Sequence, residues 1–145
     1  MPRPHKEGLD YFPHDTDASG DEKIEALRAV YGNDGYAFYF ILLERIYRAP
    51  EARLNVASPV TLKILSKKVG ITPKKFEKIL NFALELNCFS KEIYEFSKVL
   101  TSNGICQRAN TVLRQRALWR EHRYKKDGLS TDITMQETKE ITTQI

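Results

Sequence analysis

The sequence predicts a mainly α-helical fold, a winged helix-turn-helix with a small β-wing, on three observations. Two amphipathic segments over residues 58–69 and 72–87 are joined by a turn containing Gly70, the pattern of a helix-turn-helix pair. Short apolar stretches at 53–56, 88–90 and 99–101 read as strands around that pair,. Extra helices precede the pair, and a long basic helix follows it.

The 145 residues suit one domain over 1–127 with a tail at 128–145,. Residues 1–18 are irregular, with three prolines. Ser19 then caps a first helix, and Glu22, three residues on, completes a capping box,. Ile24, Leu27, Val30 and Tyr31 follow at helical spacing, and Gly32 ends the helix,. A second helix over 34–48 is apolar nearly all round, from Tyr36 through Phe38, Phe40 and Leu42 to Tyr47. So much apolar surface belongs at the centre of a core or at a chain–chain interface, so a homo-oligomer is expected.

Ser58 caps the next helix, with Pro59 in its first position and Leu62, Leu65 and Val69 on its inner face,. Thr72 caps the one after, which starts at Pro73 and turns Phe76, Ile79, Leu80, Ala83 and Leu86 inward. The 88–90 and 99–101 stretches would form the wing, and the connection 91–98 between them can be helical, since Ile93, Tyr94 and Phe96 alternate poorly. The last helix runs over 102–126. Beyond it, 129–145 has five threonines and no aromatic residue, a composition expected to be disordered or ordered only by a partner.

Charge is unevenly placed. Residues 1–34 carry four basic and eight acidic side chains, 61–78 six and one, 102–127 seven and two. Two basic blocks with an acidic head point to a polyanionic partner, duplex DNA first. Lys74 and Lys75 fall in the first turn of the second helix of the pair, and Lys78 one turn later. Lysines there oppose the helix macrodipole by roughly 0.3–1 kcal/mol each, and a nearby phosphate reverses that sign. The outward face is Lys74, Lys78, Asn81, Phe82 and Glu85, while Lys67, Lys68 and Thr72 flank the turn. In a helix-turn-helix this second helix enters the major groove N-terminal end first.

The terminal helix gives an independent signal. Its stripe Ile105, Ala109, Val112, Leu113 gives way to Arg116, Arg120 and Arg123, with Arg114, Lys125 and Lys126 beside it. Arginine suits phosphate because its planar fork bonds bidentately. Trp119 has three readings: covering the core edge, pairing two chains, or stacking on a base.

Other chemistry is poorly supported. Asp15-Thr16-Asp17-Ala18-Ser19-Gly20-Asp21 opens like a calcium loop, but its twelfth position is Ala26,. No phosphate-binding glycine loop or nucleophile–base pairing is found, so neither an enzyme nor a cofactor is expected. Cys88 and Cys106 read as reduced cytoplasmic thiols. The longest apolar run, 36–43, is too short to span a membrane, and 1–8 lacks the apolar core of a signal peptide,.

Three stretches carry a family resemblance: 8–15 (Gly-Leu-Asp-Tyr-Phe-Pro-His-Asp), 21–24 (Asp-Glu-Lys-Ile) and 31–36 (Tyr-Gly-Asn-Asp-Gly-Tyr). They resemble the N-terminal domain of Gram-positive phage and prophage replication proteins, replisome organisers related to DnaD-like primosomal winged helices. Val99–Ile105 followed by a basic helix is similar too. The resemblance covers about 1–125. It implies origin binding or replisome organisation, often by oligomers working with host or phage replication proteins. The second helical domain of DnaD-like proteins has no counterpart in this sequence, which leaves helicase loading unsupported. Two rival functions share the residues: a phage transcriptional regulator of the same fold, and a protein–protein adaptor in replisome assembly.

Overall fold

The structure is a computed structural model and describes residues 8–128. Among these there are five α-helices and a small two-stranded antiparallel sheet. Residues 8–109 pack as one unit, and residues 110–128 belong to a second.

The first unit is organised around α1 (Glu22–Arg48). Its N-cap is Asp21, whose carboxylate accepts the Lys23 backbone N–H at 2.9 Å. The expected Ser19 cap is not used, because residues 18–20 form a 3-10 turn that passes the capping position to Asp21. Glu22 and Glu25 add favourable charge in the first turn,. The expected stop at Gly32 is a sharp bend, with φ 63° and ψ −145°, that only glycine tolerates,. The chain turns so tightly that a Cβ on Gly35 would collide with the Leu27 carbonyl oxygen. Eight residues of straight helix would span about 12 Å, so the two arms of α1 fold back on each other.

The second arm carries the aromatic run, and the chain covers it unaided. Phe38, Leu42 and Ile46 are fully buried, and no apolar side chain from Tyr36 to Tyr47 is exposed. The expectation that this helix demands a second chain therefore loses its premise. Phe38 meets Phe76 edge to face at 5.0 Å between centroids. Phe89, Leu27, Leu65, Ile79, Leu80, Leu100 and Ile105 complete the core.

Strand β1 (Leu54–Asn55) follows, then α2 (Pro59–Val69) and α3 (Pro73–Glu85). Ser58 occupies the N-cap of α2 but its hydroxyl makes no capping bond; Pro59 in the first turn leaves one donor fewer to satisfy,. The α2 end is closed by Gly70 at φ 85°, with the N–H groups of Gly70 and Ile71 both reaching the Ser66 carbonyl at 2.9 and 3.0 Å. This is a Schellman closure, and it makes the α2–α3 turn only three residues long. Thr72 caps α3 as expected, accepting from the Lys75 N–H at 3.2 Å.

The wing differs from expectation. Residues 88–90 are not a strand. Asn87 takes φ 61°, Cys88 and Phe89 turn into the core, and Ser90 caps α4 (Lys91–Ser97) by accepting from the Ile93 N–H. The partner of β2 (Val99–Leu100) is β1, with Leu54 opposite Leu100 and Asn55 opposite Val99. The small sheet thus pairs β2 with β1 and not with 88–90, while the connection 91–98 is helical, as its poor alternation allowed. The α3 helix also stops at Glu85, with Leu86 as its C-cap, two residues before the predicted end.

The last helix, α5 (Asn103–Gly128), is capped by Ser102, which accepts from the Ile105 N–H at 3.1 Å. Ile105 and Ala109 are buried in the first unit. In residues 110–126, Val112 is buried, Arg116 and Lys125 are half-buried, and the rest are exposed. No described helix is long and apolar enough to cross a membrane. The Thr-rich stretch 129–145 lies outside the described residues.

Candidate nucleic-acid interface

The α2–α3 turn brings one group of the predicted residues together. Lys67 and Lys68 sit in the last turn of α2, Lys74 and Lys75 in the first turn of α3, and Thr72 between them. The inner faces of both helices are anchored by Leu65, Ser66, Phe76, Ile79 and Leu80. Ser66 is buried because its hydroxyl donates to the Leu62 carbonyl at 2.6 Å. The opposite faces must therefore point outward, and Lys67, Lys68, Lys74, Lys78 and Asn81 are all exposed.

Two of the residues singled out, the first-turn Lys75 and the outward-face Phe82, are engaged otherwise. Lys75 is held by Asp34 of α1, Nζ to carboxylate 2.6 Å, with both side chains 43% exposed. That carboxylate supplies at the start of α3 some of the negative charge its own first turn lacks,. One of the three lysines invoked against the macrodipole is thus already compensated. Phe82, predicted outward, is half-buried because the Tyr31 ring lies edge-on against it at 5.7 Å.

The arginines belong to the second unit. Arg114, Arg120 and Arg123 are exposed on α5 and Arg116 is half-buried. Trp119 is 69% exposed, so it does not cover a core edge. It shares a small patch with Leu118 and His122.

The sequence did not reveal a cavity of about 440 Å³ in the first unit. The segment before α1 and the second arm of α1 build it. His14 stacks flat on Phe40 at 4.1 Å and Phe12 on Tyr47 at 4.7 Å. Ile24 and Leu43 close the floor, while Asp15, Asp17 and Asp21 stand at the rim. Leu9 ties the segment down, its N–H bonding the Tyr47 carbonyl at 2.8 Å. Arg108 reaches in from α5, its Nε donating to the Tyr47 hydroxyl at 3.0 Å. Burial works to lower the Arg108 pKa, but that hydrogen bond and the neighbouring Tyr47, Tyr39 and Asp15 raise it overall, so the cation is fixed. Burial, with a smaller push from Cys88, takes the Tyr39 phenol up to about 12. Burial likewise pushes the Cys88 thiol up to about 11, which leaves it protonated and unreactive,. The one available sequence signal was the cluster Tyr11-Phe12-Pro13-His14. Nothing local says that these rings meet residues 39–47.

A family model described as Lin1244/Lin1753-like, N-terminal, matches residues 11–105. The chain belongs to that family. It is 31% identical over 117 residues to the uncharacterized phage-related protein Lin1244/Lin1753 of Listeria innocua serovar 6a, across 80% of this chain and 37% of that protein. The chain therefore spans a little over a third of the length of this curated relative. No solved structure matches the chain. The family match includes the lysine turn and the cavity segment and stops before Arg114.

Proposed function

We propose that this member of a phage-related family is a DNA-binding module of phage or prophage replication, of the replisome-organiser kind, and not an enzyme. It acts in the cytoplasm and holds duplex DNA through α2 and α3. Lys67, Lys68, Lys74 and Lys78 bind phosphates, and Asn81, one turn beyond Lys78, faces the base edges. The single observation that carries this reading is the outward placement of these lysines around a three-residue turn whose other side is fixed in the core. A rigid turn with cations at both helix ends presents charge to a backbone without first having to be ordered. Arg114, Arg116, Arg120 and Arg123 supply a second set of phosphate contacts. Pairing of β1, ahead of the helix pair, with β2 behind it favours a winged-helix relation even without the hairpin wing.

Duplex binding measured at several salt concentrations tests this reading. Replacing Lys74→Glu with Lys78→Glu is expected to weaken binding at least about 100-fold, since two attractions to phosphate become two repulsions. Far-UV circular dichroism should be unchanged, because both side chains are exposed. Unaltered affinity in that double variant overturns the helix-turn-helix assignment. Mapping the bound sites separates an origin from a promoter operator, and so replication from transcriptional control.

A further inference from the structure

We propose that the aromatic cavity of one copy of this chain receives the Trp119 patch of a second copy. The two surfaces are complementary in both ring chemistry and charge. The cavity is lined by the rings of Phe12, His14, Tyr39 and Phe40, with Tyr47 buried beneath them, in a volume of about 440 Å³, ample for one indole with flanking side chains. Aromatic-lined clefts accept aromatic and cationic side chains alike, the first by offset or edge contact and the second through the ring quadrupole. At its mouth, Asp15, Asp17 and Asp21 are exposed and outnumber Arg108 three to one.

The helix of the second unit is the counterpart. Residues 110–126 carry six basic side chains and one acidic. Trp119 protrudes with Leu118 and His122 beside it. Arg123 lies one turn on and Lys126 two turns on, both on the Trp119 face by helical spacing. A tryptophan with cations along its own face, docking into rings rimmed by carboxylates, has the composition of an interface anchor. Exposed and unoccupied, that tryptophan sits badly on a helix with so few other apolar side chains.

The only tryptophan of the chain makes the test site-specific. Sedimentation and Trp119 emission are followed on the full chain from about 1 to about 200 µM, roughly the range in which weak interfaces fill. The expected result is a mass that grows with concentration, accompanied by a blue shift. Both fade between roughly 50 and 500 mM salt, because opposite charges at the mouth are screened. Two variants then break one surface each: Trp119→Glu on the helix, and Asp15→Lys with Asp17→Lys at the cavity. All three side chains are exposed, and far-UV circular dichroism verifies that each variant is folded. Each variant alone should be monomeric. Mixed in equal amounts they should associate again, since one intact cavity meets one intact helix, and only the aspartate variant contributes emission. A chain that stays monomeric throughout overturns the proposal. So does either variant associating by itself, as helix-to-helix pairing would make the aspartate variant do, a mixture that remains monomeric, or a blue shift independent of concentration. None of these outcomes bears on the Lys74 and Lys78 result, which reads duplex affinity.

Discussion

The two basic blocks of this chain carry similar charge on different foundations. Behind the lysines at the α2–α3 turn stand Leu65, Phe76 and Ile79, each almost wholly buried. Along the arginine-bearing stretch of α5, only Val112 is buried and Leu118, Trp119 and Tyr124 are open. The first block is charge fixed to a core, and its cations are held at set positions. The second is charge on a helix whose sides are mostly exposed, and it serves as easily for a partner protein as for a phosphate. A count of basic residues does not distinguish the two, although they should respond to mutation by very different amounts.

Stability provides the largest contrast. Phe76 is fully buried and packed against Phe38, so Phe76→Ala should cost about 3–5 kcal/mol in denaturant unfolding. Leu118→Ala, on a side chain 60% exposed, should stay within about 0.5 kcal/mol. Equal effects at the two sites would mean that α5 beyond Ala109 is as deeply embedded as α3, and the comparison would fail. Binding comes next, where the loss of duplex affinity on reversing Lys74 and Lys78 should exceed anything seen on the arginines. Replacing Arg116, Arg120 and Arg123 together by Gln should lower the salt slope by about 0.9 for each phosphate no longer neutralised. The weakening should be uniform across DNA sequences, because phosphate contacts position a protein without reading bases. An unchanged slope assigns these arginines to protein contacts.

Local signals wrote much of the fold plainly. The Ser-Pro and Thr-Pro helix starts at 58–59 and 72–73 and the Gly70 stop sit where the pattern puts them, since caps and left-handed turns are decided by a few adjacent residues. What failed was non-local. Cys88-Phe89-Ser90 looks like a strand because it is short and apolar, but the strand partner of Val99–Leu100 lies more than forty residues upstream at Leu54–Asn55. The aromatic run at 36–47 suggested an interface because periodicity cannot see Phe76, Phe89 or the segment before α1 arriving to cover it. In the site, the exposed lysines were legible from spacing alone. The Asp34–Lys75 pair joins residues 41 apart, and the cavity joins rings from 12–14 and 39–47 with Arg108. Neither leaves a trace in a window of one or two turns.

The smallest expected effect is the most discriminating within the lysine block, and it concerns that same pair. With both side chains 43% exposed, the Asp34–Lys75 bridge should contribute about 0.2–1 kcal/mol to stability, as screened surface pairs do. Asp34→Asn should therefore barely move the unfolding midpoint. Its consequence for binding has the opposite sign from every lysine change. An acid beside the first turn of α3 repels an approaching phosphate and occupies Lys75; removing it frees that cation and leaves the N-terminus of α3 more positive. Duplex affinity should rise about 5-fold, which corresponds to roughly 1 kcal/mol, and the salt slope should steepen by about 0.9 as Lys75 neutralises one more phosphate. If affinity is unchanged, Lys75 does not face the DNA, and the interface contracts to Lys67, Lys68, Lys74 and Lys78. If affinity falls, Asp34 is holding Lys75 in its binding position, and the ion pair belongs to the recognition surface itself.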